Sequence, residues 1–171
     1  KRFSVRAEAH LDGKKTEARG MNETPANALD QALIFQSLQT LIGEWQGTNE
    51  EGDWVGVSYE MTANGSALVQ SWTFHNKMTA LTIYHMDDRT LMAMHYCPIG
   101  KQPRLDLKHR LDDGTLTFEC VSATHLKNLN DPHEHAFELK VNGADSLYRS
   151  ETYVETDGRL ARNATLFHRL K

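Results

Sequence analysis

The stretch Val55-Gly56-Val57-Ser58-Tyr59-Glu60-Met61-Thr62-Ala63-Asn64-Gly65-Ser66-Ala67-Leu68-Val69-Gln70-Ser71-Trp72-Thr73-Phe74 decides the fold. Two alternating runs flank Asn64-Gly65, a dipeptide that tolerates the positive φ angles of a tight hairpin turn. A two-residue turn there pairs Met61 with Leu68, Tyr59 with Gln70, Val57 with Trp72 and Val55 with Phe74. That face is apolar apart from Gln70 and the Tyr59 hydroxyl. The opposite face carries Ser58, Glu60, Thr62, Ser71 and Thr73. Side chains alternate with period two, so the first set turns inward and Gln70 is its polar member.

The same pattern runs outward in both directions. Strands are expected near 44–50, 54–62, 66–75, 78–86, 90–97, 103–111, 115–122, 135–141, 146–155 and 159–169, with further hairpin signals at Asp113-Gly114 and Asp157-Gly158. Upstream, Thr24-Pro25 resembles an N-cap followed by proline in the first helical position. Leu29, Ala32, Leu33, Leu38, Leu41 and Ile42 then recur at mostly helical spacing up to Gly43. The expectation is a single antiparallel up-and-down β-barrel of about 8–10 strands with one preceding α-helix. Residues 25–171 form that domain. Residues 1–24 are read as an N-terminal arm: Phe3, Val5, Ala7, Ala9 and Leu11 alternate with polar residues, as in an edge strand, an arm exchanged in a homodimer, or a vector remnant.

The turns assign the remaining faces. A two-residue turn at Asp113-Gly114 pairs Leu107 with Cys120, His109 with Phe118 and Leu111 with Leu116, making His109 an inward polar residue. Around Asp87-Asp88, a two-residue loop sets Thr82 and Tyr84 beside the face of Leu91, Ala93, His95 and Cys97; a three-residue loop sets Leu81, Ile83 and His85 there instead. In the last three strands, a four-residue loop at 142–145 sets His135, Phe137 and Leu139 beside Thr152, Ser150 and Tyr148. The Asp157-Gly158 turn sets those beside Asn163, Thr165 and Phe167. This predicts a semi-polar wall. The alternative turns Leu147, Leu160 and Leu166 inward, at the cost of bringing Arg149, Glu151 and Arg162 to that face.

Composition narrows the function. The chain has 171 residues, 25% charged, with a formal net charge of −4, which disfavours a nucleic-acid surface. No apolar run is long enough to span a bilayer as a helix. Cys97 and Cys120 fall on strands separated by a third, too far apart for a disulfide. Free thiols and the lack of a secretory h-region favour a cytoplasmic location. The start at Lys1 leaves open a processed, periplasmic form.

The helix ends in Leu41-Ile42-Gly43-Glu44-Trp45. Gly43-x-Trp45 at the start of the first strand resembles the opening signature of lipocalins (calycins). The resemblance implies that Trp45 closes the barrel floor and that a basic residue near the chain end, here Arg169, packs across it. His95-Tyr96-Cys97, Gln102-Pro103-Arg104 and Gly65-Ser66-Ala67-Leu68-Val69-Gln70 also resemble a segment of an uncharacterised bacterial lipocalin-like family, over roughly Phe35 to Arg169. That family implies no activity.

The expected function is binding of a small hydrophobic or amphipathic ligand in the lumen. The candidate ligand-binding residues are Tyr59, Gln70, Trp72, His95, Arg104, His109, His135, Thr152 and Asn163. The alternatives are a small enzyme using a lumenal histidine as general acid/base, or a haem- or metal-binding barrel. His133-x-His135 puts two imidazoles on one face, but no third ligand is placed with them. No cofactor is expected, and neither a nucleic-acid nor a membrane partner.

Overall fold

The computed structural model describes residues 22–171 apart from 76 and 129; the alternation at residues 3–11, and with it the proposed dimer arm, lies outside the described residues. The strands are β1 (Glu23–Pro25), β2 (Gly43–Asn49), β3 (Trp54–Thr62), β4 (Ala67–Phe74), β5 (Lys77–Asp87), β6 (Thr90–Tyr96), β7 (Pro103–Leu111), β8 (Leu116–Ala123), β9 (His133–Val141), β10 (Ser146–Val154) and β11 (Leu160–Arg169); the helix is α1 (Gln31–Leu38). Strands β2 to β11 pair antiparallel with their neighbours, and the β7–β8 and β11–β2 pairings close a ten-stranded barrel. Every expected barrel strand is present, with bounds within two residues of the reading above. Among the described residues, no helix is long and apolar enough to cross a membrane.

The helix begins later than expected. Thr24 and Pro25 lie in β1, which pairs with β7 at Glu23↔Leu111, Thr24↔Arg110 and Pro25↔His109. The β6–β7 pairing stops at Met92↔Asp106, so the far end of β7 has an open edge, and β1 covers it. Asp30 is the N-cap that operates, its carboxylate accepting the Leu33 N–H (3.2 Å). Ile34, Phe35, Leu38 and Leu41 are buried across one end of the barrel. Gln31 Oε1 accepts the Leu91 N–H (2.7 Å), tying the helix to the β5–β6 hairpin.

Trp45 seals this end. Its Nε1–H donates to the Leu41 carbonyl (2.8 Å), and the Arg169 guanidinium lies over its ring at 4.1 Å. Arg169 also donates to the carbonyls of Thr40, Ile42 and Ala144 (2.6, 2.7 and 2.8 Å). Four helix- and loop-end acceptors are thus satisfied at the floor.

The β3–β4 and β5–β6 registers follow the turns: Tyr59↔Gln70 and Val57↔Trp72, then Thr82↔His95 and Tyr84↔Ala93 across a two-residue loop. The two Asp-Gly turns differ from expectation. At each, the loop has three residues: the Leu111 N–H donates to the Thr115 carbonyl and the Glu155 N–H to that of Arg159 (2.9 and 2.8 Å). Gly114 and Gly158 sit last in these loops at φ +86° and +79°, the arrangement of a turn closed by a left-handed residue. The β9–β10 loop also has three residues, with the Asn142 N–H donating to the Ser146 carbonyl (2.8 Å).

Each change shifts a register by one, and together they reverse the face of β10. On β10, Leu147, Arg149, Glu151 and Tyr153 turn inward in place of Tyr148, Ser150 and Thr152, opposite Phe167, Thr165, Asn163 and Ala161 of β11. The lumen wall thus combines the β10 face of one alternative with the β11 face of the other. Leu160 and Leu166 are exposed. In β7, Leu105 faces Cys120 and Leu107 faces Phe118, and an irregularity between Leu107 and His109 puts His109 opposite Thr117. Cys97 and Cys120 are free.

Gly47 shows how tightly β2 and β11 close the barrel. A Cβ there would lie 2.5 Å from the Leu166 carbonyl oxygen, whereas at Gly56 it would meet the indole of Trp54 at 2.8 Å. Trp54 is exposed and can move aside. We therefore expect Gly47→Ala to lose about 1–3 kcal/mol in urea unfolding and Gly56→Ala clearly less; equal losses would contradict this closure.

Candidate functional site

The lumen divides into a filled lower half and an open chamber. Below, Phe118 stacks on Phe137 at 4.5 Å between centroids, and Tyr84 meets both rings edge-on. Above, at the end opposite α1, is a cavity of about 550 Å³. Val55, Trp72, Phe74, Ala80 and Pro98 form its apolar wall; His95, Glu151, Tyr153, Asn163 and Thr165 form its polar side.

Between the two halves lies a buried polar cluster centred on Arg149, which is 1% exposed. Arg149 Nη1 donates to the Tyr84 hydroxyl (2.6 Å), Nη2 to Glu134 Oε1 (3.3 Å) and Nε to Glu151 Oε1 (3.2 Å). The guanidinium also lies 3.8 Å from the Phe137 ring centroid and 5.1 Å from that of Trp72. Tyr84 passes the chain on, donating to Gln70 Oε1 (2.8 Å). His95 Nδ1 meets Thr82 Oγ1 at 2.9 Å and Glu134 Oε2 at 3.7 Å. Thr82 Oγ1 in turn accepts from Trp72 Nε1 (3.4 Å). Tyr59 Oη, Gln70 Nε2, His95 Nε2 and Glu134 Oε2 are buried without a hydrogen-bond partner.

Burial governs the ionisation of these groups. It pushes the Glu134 carboxyl up to about 7 against the pull of Arg149, and it pushes His95 down to about 4. Burial also raises Glu151, opposed by Arg149, and raises Tyr84 to about 12. The Cys97 thiol is raised by burial and lies 3.9 Å from the Tyr153 hydroxyl. That suits a protonated packing group more than a nucleophile.

Of the nine candidate residues, Trp72, His95 and Asn163 line the chamber. Tyr59 and Gln70 are buried at 2% and 0% exposure and do not reach it. The other four do not join the chamber. Arg104 pairs with Asp87 (2.9 Å) and Asp106 (3.1 Å) and is 31% exposed. His109 is 35% exposed and faces Glu23 of β1 at 3.6 Å. Thr152 is on the β10 face opposite Arg149 and Glu151, across from Ala136 and Arg162. His135 falls in the irregularity where Thr152↔Ala136 gives way to Tyr153↔Glu134. His133 is held by donating Nδ1–H to the Asp131 carbonyl (2.7 Å).

The residues missed by sequence reasoning are Arg149, Glu151, Glu134, Tyr84 and Tyr153. Arg149-x-Glu151 was visible as a same-face ion pair, which halves the objection to burying either charge. Glu134 carried no such signal, because the irregularity at His135 is what turns it inward. Among the described residues, no group of three or more His, Cys, Asp or Glu side chains is placed to hold a metal ion.

The two shifted groups oppose each other in stability. Glu134, raised from 4.5 to about 7, keeps in the folded protein a proton that the unfolded chain releases, so stability falls as pH rises between those values. His95, lowered from 6.5 to about 4, refuses in the folded protein a proton that the unfolded chain takes, so stability falls as pH drops between those values. Over the shared window the slopes cancel. Relative to the parent, Glu134→Gln should therefore gain stability with rising pH from about 4.5 to 7, and His95→Gln should lose it from about 4 to 6.5, each by roughly 3 kcal/mol. Urea titrations across pH check this; variant and parent curves running parallel would refute the assigned burial.

No protein-family model and no curated protein sequence matches the chain. Among solved structures it is similar to a protein of unknown function from the DUF3598 family of Nostoc punctiforme, with a TM-score of 0.56 and 13% identity over 78% of this chain and 48% of that one. It is also similar to Rv2717c from M. tuberculosis, with a TM-score of 0.54 and 15% identity over 80% of this chain and 97% of that one. The chain thus spans about half the length of the DUF3598 protein. At these identities the likeness is one of fold: a closed antiparallel β-barrel.

Proposed function

We propose that this barrel is a binding module that holds a small amphipathic molecule in the chamber. The observation that carries the reading is the chamber itself. It has about 550 Å³ of space, apolar on one side, with His95, Glu151, Tyr153, Asn163 and Thr165 converging on the other. A barrel filled for stability alone has no use for that combination, whereas ligand sites regularly pair an apolar wall with a few placed polar groups. The lipocalin-like character belongs to the same reading, supported by the floor of Trp45 beneath Arg169. The apolar part of the ligand lies against Trp72, Phe74 and Val55, and its polar part meets Glu151 and Asn163.

The Glu134–His95 pair at 3.7 Å favours a second reading, an enzyme with His95 as general acid/base. Burial makes His95 a weak base at neutral pH, so binding ranks first.

Nile red, a neutral dye that brightens in apolar surroundings, tests the proposal. The parent protein should bind it, and Ala80→Trp, which fills the chamber, should weaken binding at least about tenfold. Arg104→Ala and His109→Ala, on the exterior, should leave it unchanged. Undiminished binding by Ala80→Trp would place the dye elsewhere and sink the proposal.

A further inference from the structure

We infer that the chamber's ligand carries a cationic, hydrogen-donating head group, an alkyl or aryl amine, seated against Glu151. The inference rests on the binding reading and deepens it.

The first observation is the balance of charge inside the barrel. The described interior holds one guanidinium, Arg149, beside two carboxyl groups, Glu134, which burial inclines to keep its proton, and Glu151. Arg149 donates from all three of its nitrogens to groups of the protein and is not among the residues lining the chamber. It therefore has little to offer an anion. Glu151 does line the chamber, and its side chain is 23% exposed. No lysine or arginine lines the chamber among the described residues. A carboxylate ligand would meet the like charge of Glu151 in a partly desolvated space; an ammonium would find an opposite one.

The second observation is the unused hydrogen-bonding capacity on the polar side. His95 is 2% exposed and lines the chamber. Its Nδ1 is held by Thr82 Oγ1 at 2.9 Å, while Glu134 Oε2, at 3.7 Å, lies beyond hydrogen-bond reach. Nε2 has no partner among the described residues, so its hydrogen-bonding capacity is left to a ligand. The Glu151 carboxylate, which only accepts, lies on the same side of the chamber, and this suits a head group with N–H bonds to donate. The third observation is Trp72 on the facing wall, an aromatic surface that favours a cation nearby.

The rim carries both signs with an acidic excess, which does not oppose a cation. Glu50, Glu51 and Asp53 follow Asn49 at the mouth, while Lys77 begins β5 and Arg159 pairs with Asp157 at 3.5 Å. Selection falls to the interior.

Calorimetric titration at pH 7 with decylamine, decanol and decanoate, each below its micellar concentration, tests the inference. The expected order is decylamine at least about tenfold tighter than decanol, with decanoate weakest. Glu151→Gln should bring the amine-to-alcohol affinity ratio towards one, and Asn163→Asp, which adds a carboxylate to the chamber, should raise it. Decanol or decanoate bound as tightly as decylamine, or a ratio that neither variant moves, overturns the amine assignment while leaving a binding barrel in place. Failure of all three ligands to bind removes the binding reading and the inference together.

Discussion

The interior of this barrel depends on one buried guanidinium. Removing a charge from water costs several kcal/mol unless partners replace its hydration, and Arg149 finds them on every side: Glu134 from β9, Glu151 from β10, Tyr84 from β5, and the face of Phe137. These contacts join opposite walls of the barrel through its middle. They fill the lumen at that level and confine the open space to the end away from α1. One carboxyl of the cluster also gives the chamber its character, since Glu151 faces both Arg149 and the open space.

Small features of backbone geometry bring these groups together. Three-residue loops at Gly114 and Gly158, and at 143–145, set the registers of the second half of the sheet. The irregularity at His135 rotates Glu134 inward beside Tyr153. At the closed end, Arg169 and Trp45 tie the last strand to the first and to the residues that follow α1. The same barrel therefore has one end locked by hydrogen bonds and packing and the other left open.

Much of this was legible from residue order. Asn64-Gly65 marks both the place and the register of its hairpin, because the alternation on either side agrees with only one pairing. Leu91, Ala93, His95 and Cys97 share a buried face for the same reason. The Asp-Gly turns misled because the same dipeptide closes two- and three-residue loops, and in the longer form the aspartate side chain holds the next strand: Asp113 accepts the Thr115 N–H and Asp157 the Arg159 N–H. One residue of loop length exchanged Thr152 for Glu151 in the lumen. A preference for hydroxyls over charges inside then reinforced the error, since Arg149 and Glu151 are costly to bury singly but not as partners. His109 and Glu134 follow from strand irregularities that alternation does not reveal.

Arg149 and Glu134 sit in a dry interior below the chamber. Carbon-13 NMR titration of the glutamate side-chain carboxyls tests it most directly. The account predicts that one resonance, assigned by its loss in Glu134→Gln, titrates near 7, with burial as the cause. A Glu134 carboxyl titrating in the ordinary carboxylate range would mean that water reaches the cluster, and would contradict the filled lower half on which the chamber and its proposed ligand depend.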